Sequence, residues 1–204
     1  MREDYFAALT LTGDIWRDVQ SFLSPRRPDT WQHVQAVAEM AERLAARFAV
    51  LPEEARLAGL CHDLAAVVPK AELIAVAAAW GVPLTAADRQ IPQVLHGPIA
   101  AAVVGTKWPG SDQRVLDAIR YHTTLRAGAG VLEKIVFVAD KIAYDPTTPR
   151  TDYMTAIEEA AQTSLDAAAF AYLDFVITHQ TELGWKLHPN LLAAHRDLAQ
   201  RAAL

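Results

Sequence analysis

The chain has 204 residues, 52% hydrophobic and 21% charged, with a formal net charge of −5. That length suits one compact domain with a substantial core, and the acidic balance leaves no broad basic surface for nucleic acid. Cys61 is the only cysteine, which excludes an internal disulfide and multi-cysteine zinc motifs. No apolar run reaches the roughly 18 residues of a membrane span, and the N-terminal stretch lacks a signal-peptide hydrophobic region, so a soluble cytoplasmic protein without membrane partners is expected.

Alanine and leucine dominate and helical spacing recurs throughout, so the expected fold class is all-α, with proline and glycine supplying the turns. A first helix is predicted near 13–23. A second, near 30–49, carries His33 on the face continued by Val37, Met40, Leu44 and Phe48, which turns that ring inward. The third, near 52–65, opens with Pro52, Glu53 and Glu54 and delivers the adjacent pair His62-Asp63 at its C-terminal end. A fourth is predicted near 70–80. His96 then falls in the loop Leu95-His96-Gly97-Pro98, ahead of an apolar helix near 98–107. His122 closes a helix near 111–122, where the dipole and free carbonyls favour a cationic ring. The next helix, near 131–144, is apolar around a lone acid, Asp140, whose burial costs several kcal/mol (order of magnitude) unless a cation meets it. Long helices near 151–182 and 189–202 complete the chain.

His33, His62-Asp63, His96, His122 and Asp140 form an ordered series of four imidazoles and two carboxylates on otherwise apolar helices. Each histidine alone is more often a structural or surface residue, but imidazole nitrogen and carboxylate oxygen together suit iron, manganese, zinc and related ions, and a carboxylate can bridge two metals. The sequence therefore points to a metal site. Trp31 and Trp80 read as core before base-stackers. Arg26 and Arg27 read as a solvated loop, Lys134 and Lys141 as turned to solvent, and His179 and His195 as having no site role.

The series and its flanking words, Leu95-His96-Gly97-Pro98, Tyr121-His122-Thr123-Thr124 and Ala139-Asp140-Lys141-Ile142, resemble the HD-domain metal-dependent phosphohydrolases of the YqeK type. The likeness covers 28–150 and returns at Leu187-His188-Pro189. It implies a single HD-type helical domain over 1–204, its core near 28–150 and its C-terminal helices completing a nucleotide site. It implies symmetrical cleavage of dinucleoside tetraphosphates, diadenosine tetraphosphate among them, into two nucleoside diphosphates. His33, His62, Asp63 and Asp140 would hold iron, one ion or two, with manganese or another first-row divalent metal as the alternative. Asp63, His96 and His122 would be catalytic, with His96 and His122 facing the phosphates or a second metal. Thr123, Thr124, Arg150, Leu187, His188 and Pro189 would line the bound nucleotide. A small-molecule nucleotide is the expected partner, and a homodimer stays open. Two departures stand out: Leu125 where the family has glycine after the His-Thr-Thr run, and Ala66 where a basic residue is common. Hydrolysis of another nucleotide, or nucleotide sensing with little activity, are the rival readings.

Overall fold

The computed structural model describes residues 4–143 and 151–202 and, among them, contains helices and no strand. In chain order these are α1 (Ile15–Leu23), α2 (Pro28–Arg47), α3 (Pro52–Cys61), α4 (Leu73–Ala79), α5 (Ala86–Gln90), α6 (His96–Lys107), α7 (Gln113–Tyr121), α8 (Val131–Ile142), α9 (Asp152–Ala160), α10 (Leu165–Thr178), α11 (Gln180–Leu183) and α12 (Pro189–Ala202). Single 3-10 turns follow α3 (Leu64–Val67), precede α4 (Lys70–Glu72) and precede α6 (Pro92–Leu95).

The bundle is arranged around α8. Its residues Leu132 to Ala139 are all buried, and it packs against α2, α3, α7, α9 and α10. Glu133 fixes its start. The carboxylate accepts from Gly130 N–H at 3.0 Å and takes a paired contact from the Arg126 guanidinium at 2.7 and 2.9 Å, and Arg126 also reaches Asp117 on α7. Lys134, expected at the surface, is instead buried and ion-paired to Asp166 on α10, tying the two helices together.

Two glycines set the close approaches that assemble the centre. A Cβ on Gly59 would stand 2.9 Å from Ala38 Cα, so α3 can lie against α2 only because that position is bare. A Cβ on Gly97 would meet the Arg120 carbonyl at 2.9 Å, so the start of α6 can touch the end of α7. The first contact brings His62 beside His33, and the second brings His96 beside His122.

Several predicted boundaries move. The helix expected over 151–182 is three helices, because Ser164 accepts from Ala167 N–H and caps a new start at Leu165 after the turn at Thr163. The stretch between 80 and 96, expected to be loop, holds α5, whose start is a reciprocal Thr85–Asp88 cap, and a 3-10 turn. His96 is consequently the first residue of α6 and not a loop residue. Arg150 lies outside the described residues.

Candidate metal centre

Three histidines are delivered by one local device. His62 and His122 are the residues just past the ends of α3 and α7, and His96 follows a 3-10 turn. In each case ring Nδ1 lies against the carbonyl three residues back: Gly59 at 2.7 Å, Ile119 at 2.8 Å and Gln93 at 2.5 Å. A carbonyl can only accept, so Nδ1 carries the proton and Nε2 is the nitrogen presented inward. Such a carbonyl contact fixes tautomer and orientation in metal-ligating histidines.

The four Nε2 atoms converge on two carboxylates. His33 Nε2 is 3.0 Å from Asp140 Oδ1, and His62 Nε2 is 3.5 Å from the same oxygen. Asp63 faces both ways: its Oδ2 is 3.7 Å from His62 and 4.0 Å from His33, while its Oδ1 is 3.2 Å from His96 and 3.6 Å from His122. Ligand atoms of His33, His62 and Asp63, of His62, His122 and Asp140, and of Asp63, His96 and His122 each lie within 4.8 Å of one another. All six side chains singled out in the sequence thus meet.

The donor chemistry fits a divalent cation. His62 is fully buried, and its Nε2 has no hydrogen-bond partner. An unpartnered polar nitrogen in a core is costly, and here it aims at two carboxylates. Nitrogen and oxygen donors of this kind suit first-row metals.

Electrostatics divide the histidines. Burial, the largest influence on His62, disfavours a charged ring, yet the Asp63 and Asp140 carboxylates outweigh it and raise its pKa. His96 is raised in the same way, burial being outweighed by Asp63. His122 moves the other way. Burial first, then the charges of His62 and His96, push it well below the ordinary imidazole value, so the cationic ring expected at that helix end is neutral. The 2.8 Å Nε2–Nε2 contact between His96 and His122 fits a protonated His96 donating to a neutral His122.

Asp140 is ionised, held well below the usual carboxylate range against its burial by Lys141, His33 and His62. Its neighbour Lys141 is not solvent-facing as expected. The ammonium pairs with Asp140, sits over the rings of Phe137 and Tyr172 at 5.2 Å from each, and is pushed up to about 12 against its burial by Asp140.

Beside the centre is a cavity of about 670 Å³, lined among others by Thr123, Thr124, Lys141, Tyr172, Trp185, Leu187 and His188. Thr123 Oγ1 lies 3.0 Å from His122 Nε2 and 3.2 Å from His96 Nε2, at the join of cavity and centre. Thr124 donates to the Leu125 carbonyl. His188 is buried with both ring nitrogens engaged: Nδ1 accepts from Asn190 N–H at 3.1 Å, and Nε2 faces Asp88 at 3.2 Å. It therefore offers the cavity a ring surface. Pro189 begins α12 and is not among the lining residues. His179 stacks on Phe175, and His195 pairs with Asp174, both away from the centre. Trp31 and Trp80 are packed against Trp16 and Phe6. Sequence reasoning missed Tyr172, Trp185 and Lys141 as wall residues, because each looks like an ordinary helix or loop residue until the C-terminal helices fold over the centre.

A helical bundle closed over four imidazoles and two carboxylates beside a nucleotide-sized cavity defines a metal-dependent hydrolase. The chain belongs to the HD domain family, whose model matches residues 30–145. It is 35% identical over 136 residues, 67% of this chain and 71% of its relative, to the symmetrical bis(5′-nucleosyl)-tetraphosphatase of Bacillus subtilis. A protein of that same name from Halalkalibacterium halodurans is 31% identical over 82% of this chain and 88% of its own. A solved structure from Clostridium acetobutylicum, described as an HD superfamily hydrolase involved in NAD metabolism, superposes with a TM-score of 0.84 at 28% identity, covering 91% of this chain and 97% of that one.

Proposed function

We propose that this protein is a cytoplasmic enzyme that hydrolyses dinucleoside tetraphosphates, diadenosine tetraphosphate foremost, taking up one water and releasing two nucleoside diphosphates. The observation that carries the reading is Asp63: one oxygen faces His33 and His62, the other faces His96 and His122, and the cluster lies beside a cavity of about 670 Å³. The names of the Bacillus and Halalkalibacterium relatives supply the substrate class.

His33, His62, Asp63 and Asp140 would hold a first divalent ion, and Asp63, His96 and His122 a second, with iron preferred. When bound, such ions supply Lewis-acid polarisation of a phosphoryl oxygen and bring the pKa of water from about 15.7 toward roughly 7. The chain's own groups do the remaining work. Asp63 accepts a hydrogen bond from the attacking water and orients it. The Thr123 hydroxyl donates to a phosphoryl oxygen at the mouth of the cavity. A neutral His122 whose Nδ1–H is committed to Ile119 presents a lone pair at Nε2, which suits a metal ligand better than a phosphate contact. Thr123, Thr124, Leu187 and the ring face of His188 form one wall of the nucleotide seat.

Iron-loaded protein incubated with diadenosine tetraphosphate and resolved by chromatography should give adenosine diphosphate as sole product. Release of monophosphate with triphosphate, or of inorganic phosphate, overturns the symmetrical reading. Another nucleotide cleaved far faster in the same panel overturns the substrate. The sensor reading has less support, because Leu125 and Ala66 each leave the six centre residues in place.

A further inference from the structure

The candidate centre has an open side other than the large cavity. A second cavity, about 360 Å³, begins at Asp63 and His96 and runs along Ala66 and Pro69 to Arg27. Lys70 and Gln93 line both cavities and so form the ridge between them. Its wall carries two cations, Arg27 and Lys70, against one carboxylate, Asp63. Lys70 is exposed and has no ion-pair partner among the described residues. The Arg27 guanidinium is anchored on the Ala66 carbonyl at 2.5 Å and paired at 3.2 Å with the exposed Asp29, which leaves it half-exposed at the cavity wall.

We propose that this smaller cavity seats the second nucleoside diphosphate arm of the substrate, with Arg27 and Lys70 determining the preference for two-armed substrates. The inference rests on the function proposed above. A tetraphosphate cut at its middle leaves one diphosphate arm on each side of the scissile bond, so each arm needs its own seat touching the centre. The large cavity offers one arm aromatic surface at Trp185 and Tyr172. The small one has no tryptophan or tyrosine in its wall to hold a base, and what it offers is positive charge next to Asp63 and His96. A guanidinium already oriented by a backbone carbonyl is preorganised for phosphate oxygens, and Lys70 stands where the phosphate chain crosses the ridge. The second base then extends toward solvent, so base selection falls on the Trp185 end.

Calorimetric titration of the metal-loaded protein with adenosine diphosphate should give two sites per chain. Arg27→Gln removes charge, and it should weaken one of them by about 10–100-fold, the scale of a charged hydrogen bond, with Arg27→Lys restoring most of it. Trp185→Ala should weaken the other site and spare the first. In turnover, Arg27→Gln should raise KM for diadenosine tetraphosphate more than it lowers kcat. A single site in the wild type, or two sites that Arg27→Gln leaves unchanged, overturns the proposal. If the wild type yields no diphosphates from the dinucleotide, the substrate reading fails, while the binding stoichiometry still decides the second seat.

Discussion

Leu125 sits where two demands conflict. Its φ is +55°, in the left-handed region, and its side chain is fully buried. The backbone turn follows α7, with Leu125 N–H bonded to the Tyr121 carbonyl at 2.7 Å. Left-handed backbone costs an L-residue roughly 1–2 kcal/mol, and truncating a buried leucine to alanine costs about 2–5 kcal/mol. The leucine thus keeps the turn that a family glycine would make and adds core volume. Leu125→Ala retains the strain and loses the packing, whereas Leu125→Gly loses the packing and sheds the strain. Both variants should be destabilised, with glycine the more stable by about 1 kcal/mol in denaturant unfolding. An alanine variant as stable as the glycine one would show that the turn is unstrained.

The histidines give a prediction on pH. In the metal-free protein His62 and His96 have raised pKa values, so protons remain on these rings above the ordinary imidazole range. A metal needs the same Nε2 lone pairs, so its binding must release those protons. In weakly buffered solution, adding iron(II) or manganese(II) at pH 7 should release protons. The yield per ion should grow as pH falls toward 6, because more ring is protonated at the start, and metal affinity should fall with it. Metal binding without proton release over this range would mean that the rings are already neutral.

At the scale of elements, the site is a matter of where helices end. His62, His96 and His122 each exploit an end where carbonyls are free, and the joining of α6 to α7 depends on Gly97. Gly97→Ala places a methyl on the Arg120 carbonyl and near His122 Cε1, which the bare position avoids. The helices must part by a few tenths of an ångström, at a cost of about 1–3 kcal/mol. Metal analysis should find reduced occupancy at the Asp63–His96–His122 set and unchanged occupancy at the set containing His33. Turnover should fall at least tenfold while the helical signal stays. Equal loss at both sets would make Gly97 a general packing residue. The ligand residues were legible in the sequence because polar groups on apolar stripes cannot be explained by packing. The wall residues were not, since Tyr172, Lys141 and Trp185 belong to helices and a turn whose position over the centre depends on long-range contacts. The single helix read over 151–182 hid the break at Ser164, where helical propensity on both sides masked a capping serine.

For the whole molecule, the arrangement of the core decides how much the fold depends on metal. A continuous apolar cluster runs from Phe6 to Leu198 through every long helix, and the candidate centre lies between α2, α3, α6, α7 and α8 as a polar inclusion in it. A chain with that much buried apolar volume does not need an ion in order to collapse, unlike small domains that fold only with their metal. The metal-free state does carry a concentrated charge pattern: the ionised carboxylates of Asp63 and Asp140, the buried ring of His62 and the half-buried ammonium of Lys141. A metal that binds only the folded state at a hundred times its dissociation constant adds about 2.7 kcal/mol. For a chain of this size that corresponds to roughly 5–10 °C in Tm. Chelation should therefore lower Tm by that order while far-ultraviolet circular dichroism at 25 °C is unchanged. His62→Ala should at least halve the difference between loaded and chelated protein, because it removes a buried nitrogen that has no hydrogen-bond partner and faces both carboxylates of the first set. Loss of helical signal on chelation would make the centre a folding nucleus, and a Tm that chelation leaves untouched in the wild type would remove the metal from the site.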